Sequence, residues 1–405
     1  MEETARGVGP VLGTFAGVSR IAVLRGGGLG DLMFALPAVT ALKQAYPGST
    51  VTLLGTPLHG SLLAEVRSPV DDVMVLPFAE GVRPGTEDAS AVDRFFHDAR
   101  ARKFDLAVQL HGGGRFSNPF LLRLQARHTV GSATPDATPL ERTLPYTYYQ
   151  HEPMRALEVA GLAGAPPAAL EAQLRPQEGF VAQLPATLGA ALQREGTPLL
   201  VVHPGASDPR RRWPAASFGA VARAAADDGC RVLVVGDRSE TGLAEDVVTA
   251  AVGPSAGTGP APVASVAGML GLGELAALLA RADVVLANDS GPRHLAQALG
   301  TATVGIYWAG NALTSAPLGR ARHRLQLSWT THCPVCGADV TQVGWTAPRC
   351  PHDECLVAGI QPASVYQDVR SLLGNRGVPP FSDSPGYRVW RYGTATCSSE
   401  FQGKG

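Results

Sequence analysis

Short, almost continuous apolar runs punctuate the first part of the chain: Ile21-Ala22-Val23-Leu24, Val51-Thr52-Leu53-Leu54, Val73-Met74-Val75-Leu76 and Leu106-Ala107-Val108-Gln109-Leu110. Each has the length of a strand, and helix-length segments separate them. Strands that read apolar throughout, instead of alternating with polar residues, belong to parallel sheets covered on both faces. The rhythm lapses between Ala160 and Gln193, a stretch rich in Ala, Pro and Gly. It restarts with Leu199-Leu200-Val201-Val202, Val232-Leu233-Val234-Val235, Val284-Val285-Leu286-Ala287 and Ala302-Thr303-Val304-Gly305-Ile306. The pattern predicts two α/β units, residues 1–185 and 186–376, followed by a tail, 377–405, without periodicity and rich in Pro, Ser, Gly and Tyr.

Helix ends are legible in the second unit. Pro214 suits a first helical position, Phe218, Val221 and Ala225 fall on one face, and Gly229 stops the helix before the next strand. A strand, helix and parallel strand of this length form a right-handed crossover, which aims the strand's C-terminal loop and the helix N-terminus at one crevice. In that loop stand Ser207-Asp208-Pro209-Arg210-Arg211-Arg212, an anion site between a strand end and a helix start. The other reading of such a charge run is a solvated loop. A second strand-to-helix junction, Asn288-Asp289-Ser290-Gly291-Pro292-Arg293-His294, points free amides the same way. Asp289 there caps the helix or accepts from a hydroxylated ligand, and His294 either faces the ligand or packs inside. Two anion sites in one half imply a diphosphate.

Composition narrows the picture. A chain of 405 residues exceeds one ordinary hydrophobic core, and 45% hydrophobic with 17% charged residues describes a compact globule. The formal net charge of -1 makes the arginine cluster a local pocket and not a nucleic-acid surface. No apolar run reaches the roughly 18 to 20 residues that span a bilayer, and no secretory segment opens the chain, so the expected location is cytoplasmic with at most peripheral membrane contact.

The first strand leads into Arg25-Gly26-Gly27-Gly28-Leu29-Gly30-Asp31. A dinucleotide fingerprint would need glycine where Asp31 stands, and a carboxylate there repels a pyrophosphate, which disfavours a dehydrogenase. The reading from the residues is that Gly27, Gly28 and Gly30 let the backbone bend closely around a ligand, while Asp31, at a helix start, is either a general base held ionised by the amide dipoles or a helix cap.

These segments together resemble glycosyltransferase family 9, the heptosyltransferases. Arg25 to Asp31 with Leu36-Pro37-Ala38 resembles the family's N-terminal signature. His203-Pro204-Gly205-Ala206-Ser207 with Arg212-Trp213-Pro214, and Asn288 to Pro292 with His294-Leu295, resemble its two donor-site signatures. The likeness spans about residues 20 to 375. It implies a GT-B fold, in which two Rossmann-like doubly wound domains face across a cleft, with the acceptor on the N-terminal side and the nucleotide sugar on the C-terminal side. It further implies inverting transfer from an ADP-activated heptose or similar sugar to a glycan, glycolipid or small-molecule hydroxyl, without a catalytic metal. By motif matching, Asp31 is the base, Ser207 and Arg211 hold the diphosphate, Asp289 contacts the sugar, Ser290 and Gly291 bind phosphate, and Glu240 lies near the nucleoside. Where many relatives carry lysine this chain has Arg211, which keeps the charge and adds a planar fork able to grip two oxygens. A nucleotide-sugar binding protein without catalysis, or an epimerase on the same fold, are the alternatives.

Four of the six cysteines crowd into Cys333-Pro334-Val335-Cys336-Gly337 and Arg349-Cys350-Pro351-His352-Asp353-Glu354-Cys355. Such spacing fits a closed, structural zinc site made by Cys333, Cys336, Cys350 and either Cys355 or His352. His332 is a weaker candidate, and the alternative is four reduced thiols in a buried loop.

Overall fold

A computed structural model describes residues 8–177, 188, 196–253, 262–341 and 347–374 of the chain. The expected boundary at 185 and 186 and the tail 377–405 lie outside the described residues.

All eight apolar runs are strands. In the first unit β1 (Arg20–Leu24), β2 (Thr50–Gly55), β4 (Asp72–Val75), β5 (Leu106–Gln109), β6 (His128–Ala133) and β7 (Arg142–Pro145) form a wholly parallel sheet in the order β4-β2-β1-β5-β6-β7. A short antiparallel pair, β3 (Val66–Arg67) and β8 (Arg175–Pro176), lies outside it. The second unit repeats the design with β9 (Leu199–His203), β10 (Arg231–Val234), β11 (Val263–Ser265), β12 (Val284–Asn288), β13 (Ala302–Trp308) and β14 (His323–Ser328), in the order β11-β10-β9-β12-β13-β14. Each sheet thus reverses direction once, between β1 and β5 and between β9 and β12. Ligands of open parallel sheets bind outside the carboxyl ends of the strands at such a reversal.

Most of the apolar runs became inner strands covered on both faces, while Val73-Met74-Val75 fell in the edge strand β4. β5, β9 and β12 are buried at every position. β7, at one sheet's edge, alternates between partly buried and exposed residues, and β14, at the edge of the other, is mostly partly buried; they carry Arg142, His323 and Arg324, so neither reads as an apolar run. The small residues of β6, His-Thr-Val-Gly-Ser-Ala, hid that strand too, although its middle is fully covered.

The first helix, Leu29–Ala45, starts four residues after β1, and the helix Gly291–Ala298 starts two residues after β12. Their N-terminal ends meet across the domain junction. The edge of the His294 ring packs on Phe34 with centroids 4.6 Å apart, and a side chain at Gly30 would come within 3.2 Å of that ring. Apolar residues from both units, Leu32 and Leu36 with Leu295 and Leu299 among them, share one core cluster. The two helix starts are therefore held in fixed relation at one crevice. The helix after the arginine turn runs Ala215–Asp227 with Pro214 as its cap, and Gly229 follows its end at φ +87°. This is the left-handed conformation that glycine adopts without strain.

Candidate functional site

Between the units lies a cavity of about 890 Å³, and the residues singled out from the sequence converge on it. Gly28, Gly30 and Asp31 line one wall. Ser207, Arg211, Glu240, Asp289, Ser290, Gly291 and His294 line the other.

On the first wall, Asp31 closes the first turn of its helix and pairs with Arg25. One carboxylate oxygen accepts the Gly28 N–H at 2.8 Å, as a residue in the first helical turn should. The other accepts from the Arg25 guanidinium at 2.6 Å. Arg25 is buried at the end of β1, donates to the Leu110 carbonyl at 2.5 Å and meets Glu152 at 3.2 Å, while Glu152 is also paired with Arg155. The side chain of Asp31 stays 42% exposed against 8% for Arg25, so the carboxylate is the member of the pair that faces the cavity. Burial alone would raise its pKa, but the Arg25 charge and the Gly28 amide more than offset this and hold it below the usual carboxylate range. Asp31 is ionised at neutral pH.

The glycines serve this wall differently from the sequence expectation of close approach to a ligand. Gly27 sits at φ +90°, and a side chain there would come within 2.3 Å of the Asp31 carboxylate. Gly30 leaves room for His294, as described above. The space that these two glycines open is taken by protein side chains. Beneath the turn, the fully buried His59 accepts from Thr56 N–H at Nδ1 (3.3 Å) and therefore donates from Nε2 to the Gly28 carbonyl at 2.9 Å. The His111 Nδ1 accepts from Gly26 N–H at 3.1 Å. Burial lowers the pKa of both rings, so both remain neutral supports.

On the second wall, Arg211 reaches Asp289 at 3.2 Å and donates to Ser207 Oγ at 3.1 Å. Asp289 is buried, and its other oxygen accepts from His294 at 2.8 Å and Ser315 at 3.1 Å. Burial would raise the Asp289 pKa, but the hydrogen bond from His294 and the Arg211 charge lower it on balance. The His294 Nδ1 takes a hydrogen bond from Arg293 at 2.6 Å, so its Nε2 carries the proton given to Asp289. Burial first, and then Arg293, push the ring down to about 4, which keeps it neutral. Of the two places its position allowed, facing the ligand or packing inside, His294 lines the cavity with both ring nitrogens engaged by protein, one of them on Asp289.

Ser290 precedes the helix at Gly291 without capping it, because its hydroxyl turns to His203 Nδ1 at 3.0 Å. Ser290, Gly291 and Pro292, at the start of that helix, line the cavity. The His203 Nε2 meets Glu240 at 3.2 Å, and Glu240 also accepts Asp237 N–H at 3.0 Å. A side chain on Gly205 would lie 1.7 Å from the Glu240 carboxylate, so glycine is needed there to admit it. Arg210 and Arg212 are spent locally, on Asp208 at 2.7 Å and on the Ala206 carbonyl at 2.8 Å. Asn288 fixes the whole turn: its amide accepts from Trp213 N–H at 3.0 Å and donates to the Pro204 carbonyl at 2.7 Å.

Arg25, Glu152, His203, Asn288, Arg293 and Ser315 had no assigned role in the sequence reading. Arg25, His203 and Asn288 lie inside the quoted motifs, where an arginine six residues before an aspartate was a usable signal. Glu152 and Ser315 come from distant helices and had none.

Among the cysteines, Cys333, Cys336, Cys350 and His352 come together, with their ligand atoms all within 4.8 Å of one another. Cys355 does not join them. Its thiol donates to the Arg212 carbonyl at 2.9 Å, which settles the competition for fourth place on His352. His332 is engaged with Thr331 and pairs with Asp339 across a bridge.

The family described as glycosyltransferase family 9 (heptosyltransferase) matches residues 92–336. Lipopolysaccharide heptosyltransferase 2 of Salmonella typhimurium is 23% identical over 375 residues, covering 89% of this chain and all of the relative. Among solved structures, the glycosyltransferase family 9 protein of Veillonella parvula superposes with a TM-score of 0.68 at 19% identity, over 88% of this chain and 97% of that one. The E. coli ADP-heptose lipopolysaccharide heptosyltransferase II gives 0.67 at 18% identity, over 89% and 100%. These likenesses agree with the two doubly wound sheets and the cleft between them, and the chain belongs to glycosyltransferase family 9, the heptosyltransferases.

Proposed function

We propose that this glycosyltransferase moves a heptose or a closely similar sugar from an ADP-activated donor to a hydroxyl of a glycan or glycolipid, inverting the anomeric centre. The observation that carries the reading is the opposition, across one cavity, of an ionised carboxylate at Asp31 and the Arg211 guanidinium, with Ser290 and Gly291 at a helix start on the same wall as Arg211. The ADP-heptose donor rests on the similarity to the E. coli enzyme of that description.

In a single displacement the acceptor oxygen attacks the anomeric carbon while its proton passes to Asp31. The bond from that carbon to the distal phosphate oxygen breaks, and its electron pair leaves with the diphosphate. Negative charge grows on the leaving group, so a cation and helix amides that bind it more tightly at that point lower the barrier. Arg211 supplies the cation. Arg25 and Gly28 N–H fix the direction of the Asp31 carboxylate, and Asp289, braced by His294 and Ser315, fixes Arg211. Glu240, held by His203, lies at the nucleoside end.

The acceptor is assigned to the N-terminal side, where a second cavity of about 750 Å³ is lined by His111, Gly112, Gly113, Tyr146 and Tyr148. Among the described residues no helix is long and apolar enough to cross a membrane. Titration of ADP-, GDP- and UDP-sugars tests the donor assignment: selective binding of the ADP sugar is expected, and preference for another base overturns it.

A further inference from the structure

Between β14 and the helix Pro362–Gly374 the described residues form no helix or named strand; Val357 and Ile360 join the core of the second unit, but the longer stretch before them has only a small cluster of Cys333, Val340 and Leu356. Loops longer than about 12 to 15 residues without structure of their own need another source of order. The segment begins with a tight knuckle: Gly337 N–H bonds the Cys333 carbonyl at 2.9 Å, Cys333 N–H bonds Ala338 at 2.8 Å, and Gly337 takes φ +71°. This brings Cys336 back beside Cys333, and Cys350 and His352 complete a four-donor cluster. The His352 Nδ1 is buried with no hydrogen-bond partner among the described residues. Four soft donors this close match a tetrahedral ion, for which thiolate separations are about 4 Å.

The segment is also tied to the donor site. Leu356 N–H donates to the Arg210 carbonyl at 2.8 Å, the Cys355 thiol to the Arg212 carbonyl at 2.9 Å, and Arg349 lies 3.8 Å from Asp208. These contacts bracket Arg211 on both sides. At its other end the Thr341 carbonyl accepts from Tyr149 of the N-terminal unit.

We propose that Cys333, Cys336, Cys350 and His352 bind one transition-metal ion, zinc by the chemistry of the donors, and that this ion holds the backbone of the arginine turn in its donor-binding shape. The metal is structural and remote from the transferred sugar. Its removal loosens the turn and leaves the sheets intact.

Elemental analysis of the full-length protein is expected to find about one zinc per chain. The ion is retained in Cys355→Ser and lost in Cys336→Ser and His352→Ala. Absence of metal, or its loss with Cys355 and retention without His352, overturns the site. Amide exchange is then followed in the wild type before and after chelation. Residues 206–214 are expected to exchange roughly ten-fold faster without metal and to recover when zinc returns, while β2 stays protected. Unchanged exchange in the turn, or loss of protection throughout, overturns the coupling. ADP titration adds a readout that rests on the proposed donor, with affinity expected to fall roughly five-fold on chelation. Failure of metal-loaded protein to bind ADP strikes the donor assignment and leaves the exchange result standing.

Discussion

Each half of the molecule presents an arginine and an aspartate at a strand-to-helix junction, and the halves expose opposite members. In the N-terminal half Arg25 is buried and Asp31 faces the cavity, with side chains 8% and 42% exposed. In the C-terminal half the order reverses, with Arg211 at 21% and Asp289 at 6%. The same kind of ion pair therefore turns a carboxylate to the cavity on one wall and a guanidinium on the other. The buried member is in each case fixed by a network of its own: Glu152 and the Leu110 carbonyl for Arg25, His294 and Ser315 for Asp289. A buried charge without partners is costly, so these networks are what let the exposed member be aimed.

The sharpest way to break this comparison is to neutralise the exposed acid. Asp31→Asn keeps the shape and the Gly28 hydrogen bond but cannot take a proton. It is expected to lower kcat by roughly 10²- to 10⁴-fold with ADP affinity unchanged in calorimetry. Turnover like the wild type removes Asp31 as the base.

On the opposite wall, Arg211→Ala should cost roughly 10²-fold in kcat/KM and weaken ADP binding as well. Arg211→Lys, which restores charge without the fork, should recover part of both. ADP affinity unaltered by the alanine variant would detach Arg211 from the diphosphate.

Removing a buried member tests the aiming. In Arg25→Met the Asp31 carboxylate loses the charge that lowers its pKa. Since transfer needs the ionised form, the acid limb of the kcat/KM profile is expected to move to higher pH. A profile that only drops in height would make Arg25 a packing residue.

The smallest effect concerns stability. His294 is held down to about 4 in the fold, against about 6.5 unfolded. Between these values the unfolded chain binds a proton that the folded chain does not, so stability falls as pH falls through that window. From pH 6.5 to 5 this amounts to about 2 kcal/mol. In His294→Gln the decline in Tm over that interval should be shallower. An identical slope would mean that His294 takes up its proton within the fold.

The strands buried on both faces were legible because burial demands continuous apolar side chains, and the glycine and arginine turns because junction chemistry is local. The edge strands β7 and β14 escaped, since neither is buried along its length and their polar residues dilute the apolar signal. Within the site, sequence placed Asp31, Arg211, Asp289 and Ser290 at strand ends, and the fold brought all four to one cavity. It could not choose between Cys355 and His352, because spacing within a loop does not state which way each side chain turns.

The sequence by itself determined two parallel α/β units, the polarity of each junction and the residue types that meet a ligand, since these follow from side-chain burial and backbone conformation over a few neighbours. Only the tertiary structure decided which member of each ion pair is exposed, that Gly30 admits His294 from the other unit, and that the cysteine loop grips the arginine turn. Those outcomes depend on groups as far apart in sequence as Arg25 and Glu152, or Arg212 and Cys355, and only packing brings such groups within a hydrogen bond of each other.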